Sequence, residues 1–153
     1  MSGALRIRSW GPGQVPPAIF AAHSLERIPG VERLSVCELG RFMIRPTLRG
    51  QALVPSLGAA GWELLAGEQR MDLVVLTCRP GLVDYYRRLG ARTYGATMLP
   101  GPEGLEVPLL VVLSDQAWLK KIKSPLAGFA NKYFGPGKRA PLDPAPFALA
   151  RRG

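Results

Sequence analysis

The sequence predicts a mixed α/β domain, a mostly antiparallel sheet flanked by helices. Three observations carry that prediction. Residues 34–44 and 72–78 are apolar runs of strand length with apolar side chains on both faces, the pattern of central strands covered on two sides. Between them, Leu53, Leu57, Ala60 and Leu64 recur at helical spacing. Further on, two more strand-like runs, 91–99 and 105–113, flank the turn-forming series Pro100-Gly101-Pro102-Glu103-Gly104. The order strand, helix, strand, helix, strand, strand gives a mixed sheet.

Taken in order, residues 4–10 form a short strand with Arg6 and Arg8 at alternate positions, broken at Gly11-Pro12-Gly13. Pro16-Pro17 opens a helix to about Arg27, with Ile19, Phe20 and His23 near one face, and Pro29-Gly30 ends it. In the 34–44 strand, strict alternation places Leu34, Val36, Glu38, Gly40, Phe42 and Ile44 on one face and Leu39, Arg41 and Met43 on the other. Pro46 closes this strand, and a helix follows over about 51–69, with Pro55 tolerable only in its first turn. The run DLVVLTC, 72–78, is the second buried strand, and Pro80 starts a helix, GLVDYYRRLG, that Gly90 caps. After Ser114 the pattern changes. Ser114 or Asp115 caps a short helix through Lys123, a second turn of helix covers 127–134, and the Pro/Gly-rich remainder is extended, with Phe147 and Leu149 draped over the domain.

A chain of 153 residues is long enough for one domain with a real core. No apolar run approaches the roughly 20 residues of a membrane span, and MSGALRIRSW lacks the apolar core of a signal peptide. Cys37 and Cys78 have neither metal-ligand spacing nor a sequence-adjacent His. They are read as buried structural thiols in a reduced, cytoplasmic protein. One histidine, His23, leaves no Cys/His zinc site, and it is read as a surface or partly packed residue; no metal site is expected. The net charge of +9 is uneven, since residues 115–153 hold eight Lys/Arg against Asp115 and Asp143. A basic face steers polyanions or acidic proteins toward it. The segment WLKKIK suits an acidic helical carrier protein or a membrane surface, and no nucleic-acid recognition motif accompanies it. A solvated basic tail is the plain alternative.

Three stretches point to chemistry. Strand, turn at Pro46 and helix start near Arg49-Gly50-Gln51-Ala52-Leu53 present backbone N–H groups to an anion, with Arg49 adding charge. The helical pair Tyr85-Tyr86 sits about 100° apart around the axis, so one faces inward and can donate a proton. Glu38, a carboxylate within an apolar strand, is either held by a neighbouring Arg and backbone amides or is functional.

These stretches, ELGRF, the Arg49-Gly50 loop and YYRRLG, resemble the GNAT superfamily of acyltransferases over about residues 3–114, most closely the branch of acyl-homoserine-lactone synthases and N-acyl amino acid synthases. Val54 and Ala91 stand where that pattern has a small residue and Phe. The resemblance implies an acyltransferase core over 1–114, followed by a basic Pro/Gly-rich extension, 115–153, that packs on the core or on a partner. It implies transfer of a medium or long acyl group from acyl-CoA or acyl carrier protein to an amine of an amino acid or peptide, with no permanently bound cofactor. Glu38 is then the base if burial raises its pKa, Arg41 binds an acceptor carboxylate or orients Glu38, and Tyr86 protonates the departing thiolate. The backbone of Phe42, Met43 and Ile44 lines the pantetheine arm, and Arg49, Gly50, Gln51, Ala52 and Leu53 hold its diphosphate. The chain begins at the strand that follows the family's first strand and helices. The expectation is therefore that the chain is a fragment, that a second chain or a second copy completes the site, or that residues 16–27 and the C-terminal tail do so. The alternative is a catalytically silent GNAT-like subunit that binds a partner.

Overall fold

A computed structural model describes residues 3–44, 60–94, 98–101, 104–138 and 142–143. Five strands form the sheet: β1 (Gly3–Trp10), β2 (Val36–Ile44), β3 (Leu73–Cys78), β4 (Leu99–Gly101) and β5 (Gly104–Val112), in the order β1-β2-β3-β5-β4. Only β2 and β3 run parallel; the other three pairings are antiparallel, as expected. The helices are α1 (Pro17–Ala22), α2 (Val83–Leu89), α3 (Gln116–Lys121) and α4 (Ala127–Tyr133), with a π-helical turn at Glu63–Glu68.

The two faces of the sheet carry different cores. Cys37, Val74, Leu76 and Leu109 point to one, packed against Trp62, Leu65, Leu119, Leu126, Ala130 and Phe134. Thus the helices after residue 115 share the main core. Val36, Leu73, Val75, Leu110 and Val112 point to the other, covered by Leu25, Ile28, Val31 and Tyr94, with Phe20 and Leu142 packed around them. Leu142 is fixed there by its backbone N–H, which donates to Ser114 Oγ at 2.8 Å. Asp115, rather than Ser114, caps α3: its side chain accepts from Trp118 N at 3.1 Å.

Four expectations need correction. The helix opened by Pro17 stops at Ala22, because Ser24 takes a left-handed φ of 50° and the chain continues as a 3-10 turn over Leu25–Arg27. Of the helix expected over 51–69, the described part is 60–69, and its helix ends at Glu68. It is α-helical only at residues 60–62 before becoming π-helical, and Gly67 lets it pass close to Tyr133. Residues 91–94 are not a strand; they meet β5 only at an Arg92–Leu110 bridge. Side chains dock this segment instead. Arg92 pairs with Asp115 and lies 4.7 Å over the Trp118 ring, and Tyr94 donates to the His23 carbonyl. Finally, the strict alternation along β2 fails past Gly40. Arg6 pairs with Gly40 but Ala4 with Met43, so β2 holds one extra residue and bulges there.

Candidate active site

The parallel pairing of β2 with β3 covers three residue pairs, Val36–Leu73, Cys37–Val74 and Glu38–Val75, and then stops. Beyond it β2 runs on to Ile44 and β3 to Cys78 with no pairing between them among the described residues. The bulge past Gly40 bends β2 at the same level. The sheet is thus split in its middle, and the split begins at Glu38.

Glu38 is buried, at 7% exposure, on the face covered by α1 and the turns after it. Its Oε1 accepts from Arg8 Nε at 3.0 Å and from Arg8 Nη2, and Arg6 Nη2 stands 3.8 Å away. Its Oε2 lies 2.5 Å from His23 Nε2. Burial pushes its pKa up, but the hydrogen bonds and charges of Arg8 and His23 outweigh it, and the net shift is downward. This corrects the expectation of a raised carboxyl: Glu38 is held ionised. His23 is likewise not a surface residue. It is 4% exposed, and among the described contacts its Nδ1 has no partner.

Glu38 has a folded pKa below its ordinary 4.5, so its contribution is present above that value and lost as pH falls through the folded value. Urea midpoints between about pH 7 and pH 3 are expected to fall for the wild type. For Glu38→Gln they should start lower and fall less, by roughly 1–2 kcal/mol of difference. Parallel declines would show that Glu38 is not anchored this way.

Tyr86 lies on the opposite face of the sheet from Glu38. It is half-buried, packs against the main core beside Cys78 at the open end of β3, and meets Tyr85 edge-on at 5.4 Å. Tyr85 is the exposed member of the pair, at 37%. Burial first, then Cys78 and Tyr85, push the Tyr86 phenol up to about 12. It therefore carries its proton throughout the neutral range. Cys37, pushed up to about 12 mainly by burial, and Cys78, also raised by burial, are poor nucleophiles. Glu38 and Tyr86 stand on opposite faces of the sheet and are not brought into contact.

The backbone of Arg41, Phe42, Met43 and Ile44 forms the free half of β2, at the edge of the split. Arg49, Gly50, Gln51, Ala52 and Leu53 lie outside the described residues. Sequence reasoning missed His23, Arg8 and Arg6. The alternating arginines of β1 were visible, but their registry opposite Glu38 depends on a turn and helix whose length no local pattern states. Among the described residues no helix is long and apolar enough to cross a membrane, and no three His, Cys, Asp or Glu cluster to hold a metal ion.

No family profile and no curated protein matches the sequence. Solved structures do. FeeM, an N-acyl amino acid synthase from uncultured soil microbes, superposes with a TM-score of 0.61 at 19% identity, over 84% of this chain and 69% of FeeM. The chain has the GNAT fold. Two CoA-dependent acyl-homoserine lactone synthases agree: MesI, with a TM-score of 0.54 at 17% identity over 88% of this chain and 65% of MesI, and BjaI with MTA, at 0.53 and 16% over 81% and 60%. The chain spans between 60% and 69% of the length of these three proteins.

Proposed function

We propose that the protein is an N-acyltransferase. It moves an acyl group, of medium or long chain, from a phosphopantetheine thioester to an amine of an amino acid or peptide. The carrying observation is the ending of β2–β3 pairing at a buried, ionised Glu38 within a GNAT fold. An extended pantetheine arm is matched to such a split, because the unpaired edges of Phe42, Met43 and Ile44 offer it backbone hydrogen bonds. Acyl-CoA or an acyl carrier protein supplies the thioester, with Arg49, Gly50, Gln51, Ala52 and Leu53 assigned to its phosphates. Residues 1–114 form the catalytic core and 115–153 the basic extension, which suits an acidic carrier protein.

The step is direct. The acceptor ammonium is positioned beside Glu38, which is held ionised by Arg8 and His23, and it loses its proton through water to solvent. The amine nitrogen attacks the thioester carbonyl, the C–N bond forms, and the C–S bond breaks. The departing sulfur takes its proton from Tyr86, and the amide nitrogen releases its second proton to solvent. Arg41 is assigned to the acceptor's carboxylate or to the orientation of Glu38. Neither thiol takes part, in keeping with their raised pKa values.

The test is incubation with acyl-CoA of short to long chains and with acyl carrier protein loaded alike, each against a pool of amino acids and peptides, followed by mass spectrometry. An amide product that depends on Glu38 is expected. Absence of any acylated amine from every donor, with the thioester nevertheless bound, would replace the transferase by a binding subunit.

A further inference from the structure

Helices α2 and α3 meet on the side of the main core, away from Glu38. Trp118 Nε1 donates to the Gly90 carbonyl at 3.1 Å, and Ser124 Oγ donates to the Leu89 carbonyl at 2.8 Å. Those bonds set the last turn of α2, with Arg87 and Arg88, beside the end of α3, with Lys120, Lys121 and Lys123. All five cations are exposed, and among the described residues none of them enters an ion pair. Residues 79–92 contain one carboxylate, Asp84, and residues 116–138 contain none. On α2, Val83, Tyr86 and Leu89 pack inward, which turns Leu82, Tyr85 and Arg88 outward at three-residue spacing. Leu82 is 38% and Tyr85 37% exposed. The outward row is thus apolar at its start and basic at its end, where the lysines of α3 join it. A cation in a last turn complements a helix's negative end. That accounts neither for Lys123, which follows α3, nor for the exposure of Leu82 and Tyr85.

We propose that this surface docks the protein on a membrane that contains anionic lipid. The guanidinium and ammonium groups meet the lipid phosphates, and each charge near such a surface raises affinity about fivefold. Tyr85 suits the headgroup boundary, with its apolar ring and polar tip, and Leu82 enters the acyl boundary beside it. A leucine and a tyrosine running into a basic cluster, with one carboxylate nearby, is the pattern of a helix that lies in a membrane interface. Such a boundary answers the charges and the apolar side chains together. Docking through α2 also brings the end of β3, beside which Tyr86 packs, close to the bilayer. The inference goes beyond the acyltransferase reading and does not rest on it.

The experiment is sedimentation of the full chain with vesicles of phosphatidylcholine alone and of its equal mixture with phosphatidylglycerol. Binding to the mixture at low salt is expected, weakened but not abolished at about 0.5 M salt. Phosphatidylcholine alone should bind at least about tenfold more weakly. Lys120→Gln/Lys121→Gln lowers affinity for the mixed vesicles by about thirtyfold. Leu82→Ser/Tyr85→Ser removes the binding that persists in salt. Arg27→Gln/Arg33→Gln takes away the same charge from exposed turns over the other face of the sheet, and changes affinity by less than about threefold. All six positions are exposed, so the variants keep the thermal midpoint of the wild type within a few degrees. The inference is overturned by no sedimentation with the mixed vesicles at low salt, by an equal loss in the Arg27/Arg33 variant, or by an unaltered salt-resistant fraction in the Leu82/Tyr85 variant. Capture of an acyl carrier protein through Lys120 and Lys121, with vesicles left unbound, overturns it too and gives the surface to an acidic protein.

Discussion

Tyr86→Phe is expected to lower kcat by about a hundredfold while leaving the fold intact, the size of effect that a positioned proton donor supplies. The phenol is half-buried on α2, beside the end of β3, and burial keeps it protonated up to about pH 12. A thiolate leaving an acyl group benefits from that proton in proportion to its basicity. The loss should therefore be large with a pantetheine thioester and small with an aryl thioester, whose thiol leaves without help. A merely structural tyrosine would depress both alike. The phenol also raises no alkaline limb below about pH 10, because its folded pKa lies above its ordinary value. Losing one hydroxyl should move the thermal midpoint little, so the two readouts separate chemistry from folding. Equal losses with the two thioesters would remove Tyr86 from the mechanism.

Asp115→Ala is expected to destabilise the protein by about 3–5 kcal/mol, the largest effect on stability foreseen for a single side chain here. Asp115 is 5% exposed and Arg92 is 3% exposed. One carboxylate oxygen pairs with Arg92 and the other caps α3 through Trp118 N. The substitution removes the cap and breaks a buried ion pair of Arg92. For a chain of this size it corresponds to a thermal midpoint lower by roughly 10 °C. Replacing Arg92 and Asp115 together by leucine should cost less than Asp115→Ala alone, since no charge then remains buried. A cost for Asp115→Ala below about 1 kcal/mol would mean that solvent reaches the pair.

The central strands were legible because β-branched and Leu runs of six to nine residues leave few other options, and β2, β3 and β5 stand where such runs occur. Asp115 as a cap and Gly90 as a helix stop were legible for the same reason: the signal is local. Residues 91–94 misled, because an apolar alternation cannot show that Arg92 turns inward to Asp115, 23 positions away. The bulge in β2 was invisible, since one extra residue leaves no mark in a pattern that is apolar on both faces. Of the candidate site, Glu38 and the inward placement of Tyr86 could be read from the chain. The hold of His23, Arg8 and Arg6 on Glu38 could not, for it arises where β1, β2 and α1 converge. A lone histidine near the apolar side of a short helix was the available hint.

The seam between β2 and β3 has a mechanical meaning. With three residue pairs joining them, β1-β2 and β3-β5-β4 are two stiff plates on a short hinge, and most of the rigidity between them comes from side chains packed above and below. An extended molecule laid along the open edges would act as a splint. Such a protein is softest when empty and stiffest when loaded.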